Sequence, residues 1–133
     1  RSSPPSMAAI SSNFLRFLVA MTRAKFGEVL ASKIGMKERE ADFFLMGMFS
    51  MLDAFIDRPI AEILGDLPIS EDIKHALMGG ENRFRDAYDL ILAYERADWT
   101  SFSALAKRLG LNERLAPDIY YTALQWAMYI FKT

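Results

Sequence analysis

The chain of 133 residues has no cysteine and a single histidine. The first absence excludes disulfides, thiolate metal sites and cysteine nucleophiles, and it fits a reducing compartment such as the cytoplasm, where the protein is expected. The second removes most routes to helical metal chemistry, because a divalent ion needs several imidazole and carboxylate donors converging in one polyhedron. An excess of either charge is also missing: 16 Lys and Arg stand against 17 Asp and Glu, a net charge of -1. Nucleic-acid affinity is carried by phosphate neutralisation, so this balance leaves no global footprint for it. No apolar run approaches the about 18 residues of a membrane-spanning helix, and the start RSSPPSMAAI lacks a charged-then-apolar secretion signal. Neither membrane insertion nor export is therefore expected.

What is present is apolar side chain in quantity. Hydrophobic residues make up 52%, with 8 Met and 10 Phe, and charged residues 25%. That is the composition of one globular domain whose core is filled by aromatic and flexible side chains. Residues 1–11, with Arg rather than Met at the start and the tract SSPPS, read as a linker end or an expression remnant. The domain proper is expected from residue 12 to residue 133.

From Ser12, Phe14, Leu15, Phe17, Leu18, Met21, Phe26, Val29, Leu30 and Ile34 recur at spacings of three and four, predicting an amphipathic helix that Gly35 ends. A second helix is expected from Lys37 to about Asp57, acidic in its first turn and apolar nearly all round, hence the buried central element. Pro59 suits the start of a short helix through Leu64. Ser70 reads as the N-cap of a helix stopped at Gly79-Gly80, and further helices are expected over 82–98, 100–109 and 112–131. No segment alternates like a strand. The expected fold is all-α, a compact bundle of about six or seven helices.

Sites for chemistry are scarce. His75 stands in IKHALM with no HxxxH, HExxH or His-Asp pair in the chain, and it is the only imidazole available to serve as base to any serine. There is no GxxxxGK[ST] or GxGxxG loop, and Gly79-Gly80 reads as a helix stop. Asp53 interrupts the apolar stretch FFLMGMFSMLDAFI at 43–56. On one helix, Asp42 and Asp53 would lie within about 20° of each other yet about 16 Å apart along the axis, too far to share an ion. Asp53 is therefore expected to be a satisfied structural carboxylate. The segment SFSALAKRLGLNERLAPDIYYTALQW imitates a helix-turn-helix, but its second helix would start with Glu113, Arg114 and Asp118, one cation among acids, so DNA reading is not expected. The positive signal is aromatic: Tyr120, Tyr121, Trp126, Tyr129 and Phe131 surround more than one face of the last helix. Large amphipathic rings are what protein interfaces use, so these five are the candidate partner surface.

Four segments in order, TRAKFGEVLASKIG at 22–35, ADFFLMGMFSMLDAF at 41–55, LPISEDIKHALMGG at 67–80 and AYERADW at 93–99, together resemble the HDOD domain, the HD-related output domain of bacterial signalling proteins. The likeness is greater to the version joined to an EAL domain in proteins similar to cyclic-di-GMP phosphodiesterases. The resemblance spans about residues 13–98 and implies the C-terminal part of an HDOD domain on a degenerate HD-like scaffold. Metal-binding HD relatives carry a His-Asp pair after the central glycine of the second helix; here Gly47 is followed by Met48, Phe49, Ser50 and Met51, so that place looks to be held by Ser50-Met51. Ala97 stands where relatives often have Gly. No catalytic, cofactor-binding or metal-ligating residue is carried over, and no cofactor is expected. The expected function is a non-catalytic signal-transduction module working through protein or interdomain contacts, with an upstream EAL domain, another protein or a second copy as partner. The alternatives are a divergent HD phosphohydrolase using Asp42, Asp53 and His75, and a DNA-binding output domain.

Overall fold

The computed structural model describes residues 7–52, 56 and 58–132, with side chains from residue 12 onward. Seven α-helices and no strand occur among the described residues: α1 Met7–Lys33, α2 Glu40–Phe49, α3 Ile60–Leu64, α4 Glu71–Leu77, α5 Arg83–Glu95, α6 Trp99–Leu109 and α7 Ala116–Lys132. Single 3-10 turns, Lys37–Arg39 and Glu113–Leu115, lead into α2 and α7. The all-α bundle expected from periodicity is what the chain forms.

Helix ends follow from local chemistry. At Gly35 the backbone turns left-handed, φ 77°, and the Met36 N–H reaches back to the Ala31 carbonyl at 2.8 Å. This is the closure that a residue without a Cβ permits after a helix. Asn82 caps α5, its side-chain oxygen accepting from the Arg85 N–H at 2.8 Å while its Nδ2 donates to the Asp72 carbonyl at 2.9 Å. Ser70 occupies the N-cap position of α4 as expected, but its hydroxyl donates to the Asp72 carboxylate at 2.6 Å instead of capping the backbone.

Three expectations are corrected. The first helix begins at Met7, five residues before Ser12, since Met7, Ala8 and Ala9 are strong helix formers and nothing in them stops a helix. The second helix ends at Phe49, well short of Asp57. Its stop is Ser50, whose hydroxyl donates to the Gly47 carbonyl at 2.7 Å, and a serine bonding its own backbone competes with helix continuation. Nor is this helix the central element: only Phe43, Met46 and Gly47 of α2 are buried. That place belongs to the second half of α1, where Ala24, Phe26, Leu30 and Ala31 are wholly enclosed. The α1 helix packs against α2, α5 and α7, and α5 in turn carries α4 and α6. The core is one cluster, with Phe26, Leu30, Phe43, Met46, Ile73 and Leu90 its largest enclosed side chains. Asp53 lies outside the described residues.

Candidate functional site

Four arginines tie the helices and turns of the bundle to one another. Arg23 of α1 donates from Nε and Nη2 to both oxygens of Glu95 on α5, each at 2.8 Å, and from Nη1 to the Ser50 hydroxyl at 3.2 Å. A two-pronged guanidinium–carboxylate pair is the strongest ionic geometry available to side chains. The two side chains are 13% and 21% exposed, and the guanidinium also faces the Tyr88 ring at 6.0 Å. Burial opposes the Arg23 charge, yet the Glu95 carboxylate more than offsets it, so its pKa lies above the ordinary value. Thus Ser50, at the place that the resemblance gives to half of a metal-binding pair, accepts a hydrogen bond from a fixed cation.

Arg39 forms a second staple. It meets Asp42 at 2.5 Å and both oxygens of Asp72 at 2.9 and 3.1 Å, and its guanidinium lies 4.6 Å over the Phe84 ring. The hydrogen bonds that Arg39 donates to Asp72 and Asp42 raise its pKa, and those that Asp72 accepts from Arg39 and Ser70 hold its carboxyl below the usual carboxylate value. Arg83 donates to the carbonyls of Ile34 and Leu109 at 3.2 and 3.3 Å, closing the C-terminal ends of α1 and α6. Arg85 reaches the Ala76 carbonyl at the end of α4 at 2.9 Å.

These contacts decide what the residues named for chemistry can do. Asp42 is held by Arg39, and His75 is an exposed side chain on α4, beside Gly80 in an open depression that Leu64, Glu71, Asp72, Met78 and Asn82 also line. Among the described residues no three His, Asp or Glu side chains are grouped closely enough to hold a metal ion. The third member of that set, Asp53, lies outside the described residues. At the start of α7, Glu113, Arg114 and Asp118 are exposed, and Glu113 accepts a hydrogen bond from Ser103 at 2.6 Å. No described helix is long and apolar enough to cross a membrane.

The five aromatics of α7 divide between two environments. Tyr120 turns inward, its ring 5.2 Å from Tyr94 and 6.4 Å from Phe26, and burial, with Glu95 and Tyr94 nearby, raises its hydroxyl pKa. Trp126 is half-buried, edge-on to Phe44 at 5.7 Å with the Lys25 ammonium 5.3 Å from its ring. Tyr121 and Tyr129 point outward, 61% and 64% exposed. Phe131 is the hinge between the sets, with ring centroids 4.5 Å from Phe14 and 4.9 Å from Phe17 of α1, all three partly open to solvent. The periodicity of α1 placed Phe14 and Phe17 among the apolar positions of an amphipathic helix without saying what would cover them. They are exposed because α2 and α5 pack on the second half of α1 and leave α7 beside the first.

The described residues form an all-helical domain cross-tied by arginines, with six of its exposed large apolar side chains at the paired ends of α1 and α7. Two curated proteins are similar to it. One is the cyclic di-GMP phosphodiesterase CdgJ of Vibrio cholerae, 30% identical over 109 residues, which are 82% of this chain and 25% of that protein. The other is the uncharacterized protein YuxH of Bacillus subtilis, 33% identical over 108 residues, 81% of this chain and 26% of that protein. The chain spans about a quarter of the length of these relatives. No family model matches it, and no solved structure does so significantly.

Proposed function

We propose that this domain is a non-catalytic module of the HDOD kind, the C-terminal portion of such a domain, and that it serves in a bacterial cyclic-di-GMP signalling protein of EAL and HDOD type. Its work is to make protein or interdomain contacts. The signalling context rests on the similarity to CdgJ over most of this chain. The non-catalytic part rests on one contact: the Arg23 guanidinium against Ser50, tied on its other side to Glu95. A divalent ion at Ser50 would meet a positive charge at close range in a partly desolvated place, and Coulomb repulsion there is poorly screened.

The test is hydrolysis. The purified chain, incubated with cyclic di-GMP and with a generic phosphodiester in the presence of Mg2+ or Mn2+, is expected to release no product. A metal-dependent turnover lost on chelation would overturn the reading in favour of a divergent phosphohydrolase.

A further inference from the structure

The α1 and α7 helices run antiparallel, since Phe14 and Phe17 meet Phe131 while Phe26 meets Tyr120. Their paired ends leave Phe14, Leu15, Phe17, Met128, Tyr129 and Phe131 between 37% and 64% exposed. With about 200 Å² for a large side chain, these six present roughly 600 Å² of apolar surface, the upper end of what a monomer leaves open. Met128 precedes Phe131 by about one helical turn, so the two lie on one side of α7, and Phe131 joins that side to Phe14 and Phe17 of α1.

We infer that this strip is the contact surface for a second copy of the same chain, two antiparallel helix pairs meeting about a twofold axis. Three observations select that occupant, and the inference deepens the contact role proposed above. The first is area: two such strips together remove roughly 1,200 Å² from water, the lower bound of specific, stable interfaces. The second is charge. Between residues 12 and 22 the sequence has one charged residue, Arg16, and between 119 and 131 it has none. At 100° per residue Arg16 falls opposite the middle of the arc formed by Phe14, Leu15 and Phe17. A strip without charge offers nothing by which a charged partner is selected, and nothing that repels its own duplicate; the chain's net charge of -1 adds no long-range opposition. The third is shape. Apolar faces of antiparallel helix pairs fit one another as the halves of four-helix bundles do, with side chains of one pair between those of the other. A membrane surface is disfavoured because the strip has only Lys132 at its edge, where interfacial helices use several cations.

Sedimentation velocity and light scattering on the chain over about 1 to 300 µM are the test, a range that reaches micromolar affinities. The expected result is a weight-average mass rising from 15.1 kDa toward twice that value. Leu15→Glu and Met128→Glu, both at exposed positions, are each expected to weaken dimerisation by about tenfold or more while the far-ultraviolet circular dichroism stays unchanged. Lys107→Glu on the exposed side of α6 should leave it unaltered. A monomer at every concentration overturns the dimer, as does a dimer indifferent to both strip substitutions. So does a monomer that co-sediments with anionic vesicles through this strip. None of these outcomes bears on hydrolysis, which alone judges the non-catalytic reading.

Discussion

A Cβ placed on Gly47 would stand 2.5 Å from the backbone nitrogen of Ala24, and one on Gly27 would stand 2.9 Å from the Phe43 carbonyl oxygen. The α1 and α2 helices therefore cross backbone to backbone, each with a glycine under the other. The atoms in the way are main chain and cannot rotate aside. Gly47→Ala is expected to destabilise the domain by about 3 kcal/mol or more, at or beyond the usual cost of overpacking. Urea denaturation of wild type and variant measures it; a loss under about 1 kcal/mol would mean that the helices can separate cheaply.

Ala97 has a left-handed backbone, φ 57°, directly after α5, with the Asp98 N–H bonded to the Ala93 carbonyl at 2.9 Å. This is the position after a helix at which glycine is preferred, because a Cβ there costs about 1 to 2 kcal/mol. Ala97→Gly relieves that cost and loses part of it through the entropy of the unfolded chain. A net gain of about 0.5 to 1 kcal/mol is expected, a rise of roughly 2 to 5 °C in Tm by calorimetry. An unchanged or lower Tm would argue against the left-handed turn.

The Arg23–Glu95 pair should couple more strongly than an exposed ion pair of the same molecule. A double-mutant cycle with Arg23→Met and Glu95→Gln is expected to give about 1 to 3 kcal/mol of interaction energy. The Arg58–Glu62 pair has side chains 55% and 59% exposed, and its coupling is expected to stay under about 0.5 kcal/mol. Equal couplings would show that burial of the guanidinium contributes nothing.

Asp72 makes part of the stability depend on acid. Its folded pKa is depressed by Arg39 and Ser70, so its contribution is fully present above its unfolded pKa of about 3.9 and is lost as pH falls through the lower folded value. The stability difference between wild type and Asp72→Asn should hold steady above about pH 5 and shrink below about pH 4. The side chain is 41% exposed, so salt should reduce the difference as well. A difference constant down to pH 2 would remove the ionic account.

The two classes of α7 aromatics are separable by stability. Trp126→Ala removes contacts with Phe44 and Lys25 and is expected to cost about 2 kcal/mol, below the range for fully buried rings. Tyr129→Ala, at a 64% exposed position, should change stability by less than about 0.5 kcal/mol. Thermal melts decide, and matching losses would place Tyr129 in the core.

Fold class and most helix ends were legible, because spacing of three and four and the signals at Gly35, Ser70 and Asn82 are local. What escaped is what depends on a neighbour. Composition made residues 37–57 look like one buried helix, yet the stop at Ser50 depends on its hydroxyl, which bonds the Gly47 carbonyl and accepts from Arg23 of α1. Periodicity found the apolar faces of α1 but could not say which half would be covered. For the candidate site, the aromatic richness of α7 was visible, whereas the inward turn of Tyr120 and the partnership of Phe131 with Phe14 and Phe17 require knowing that α1 and α7 run antiparallel. The arginine staples left no signal, since nothing in sequence pairs residue 23 with residue 95.

The α1 helix is held along its length very unevenly: α2, α5 and α7 enclose residues 20–31, while residues 12–17 have mostly solvent around them. One continuous helix should therefore show two regimes of amide hydrogen exchange, opening locally from the N-terminal side while the stretch around Ala24 and Leu30 exchanges only with unfolding of the whole domain. Covering the first half would slow its exchange toward that of the second, so the protection profile of this single helix reads out whether anything is seated there.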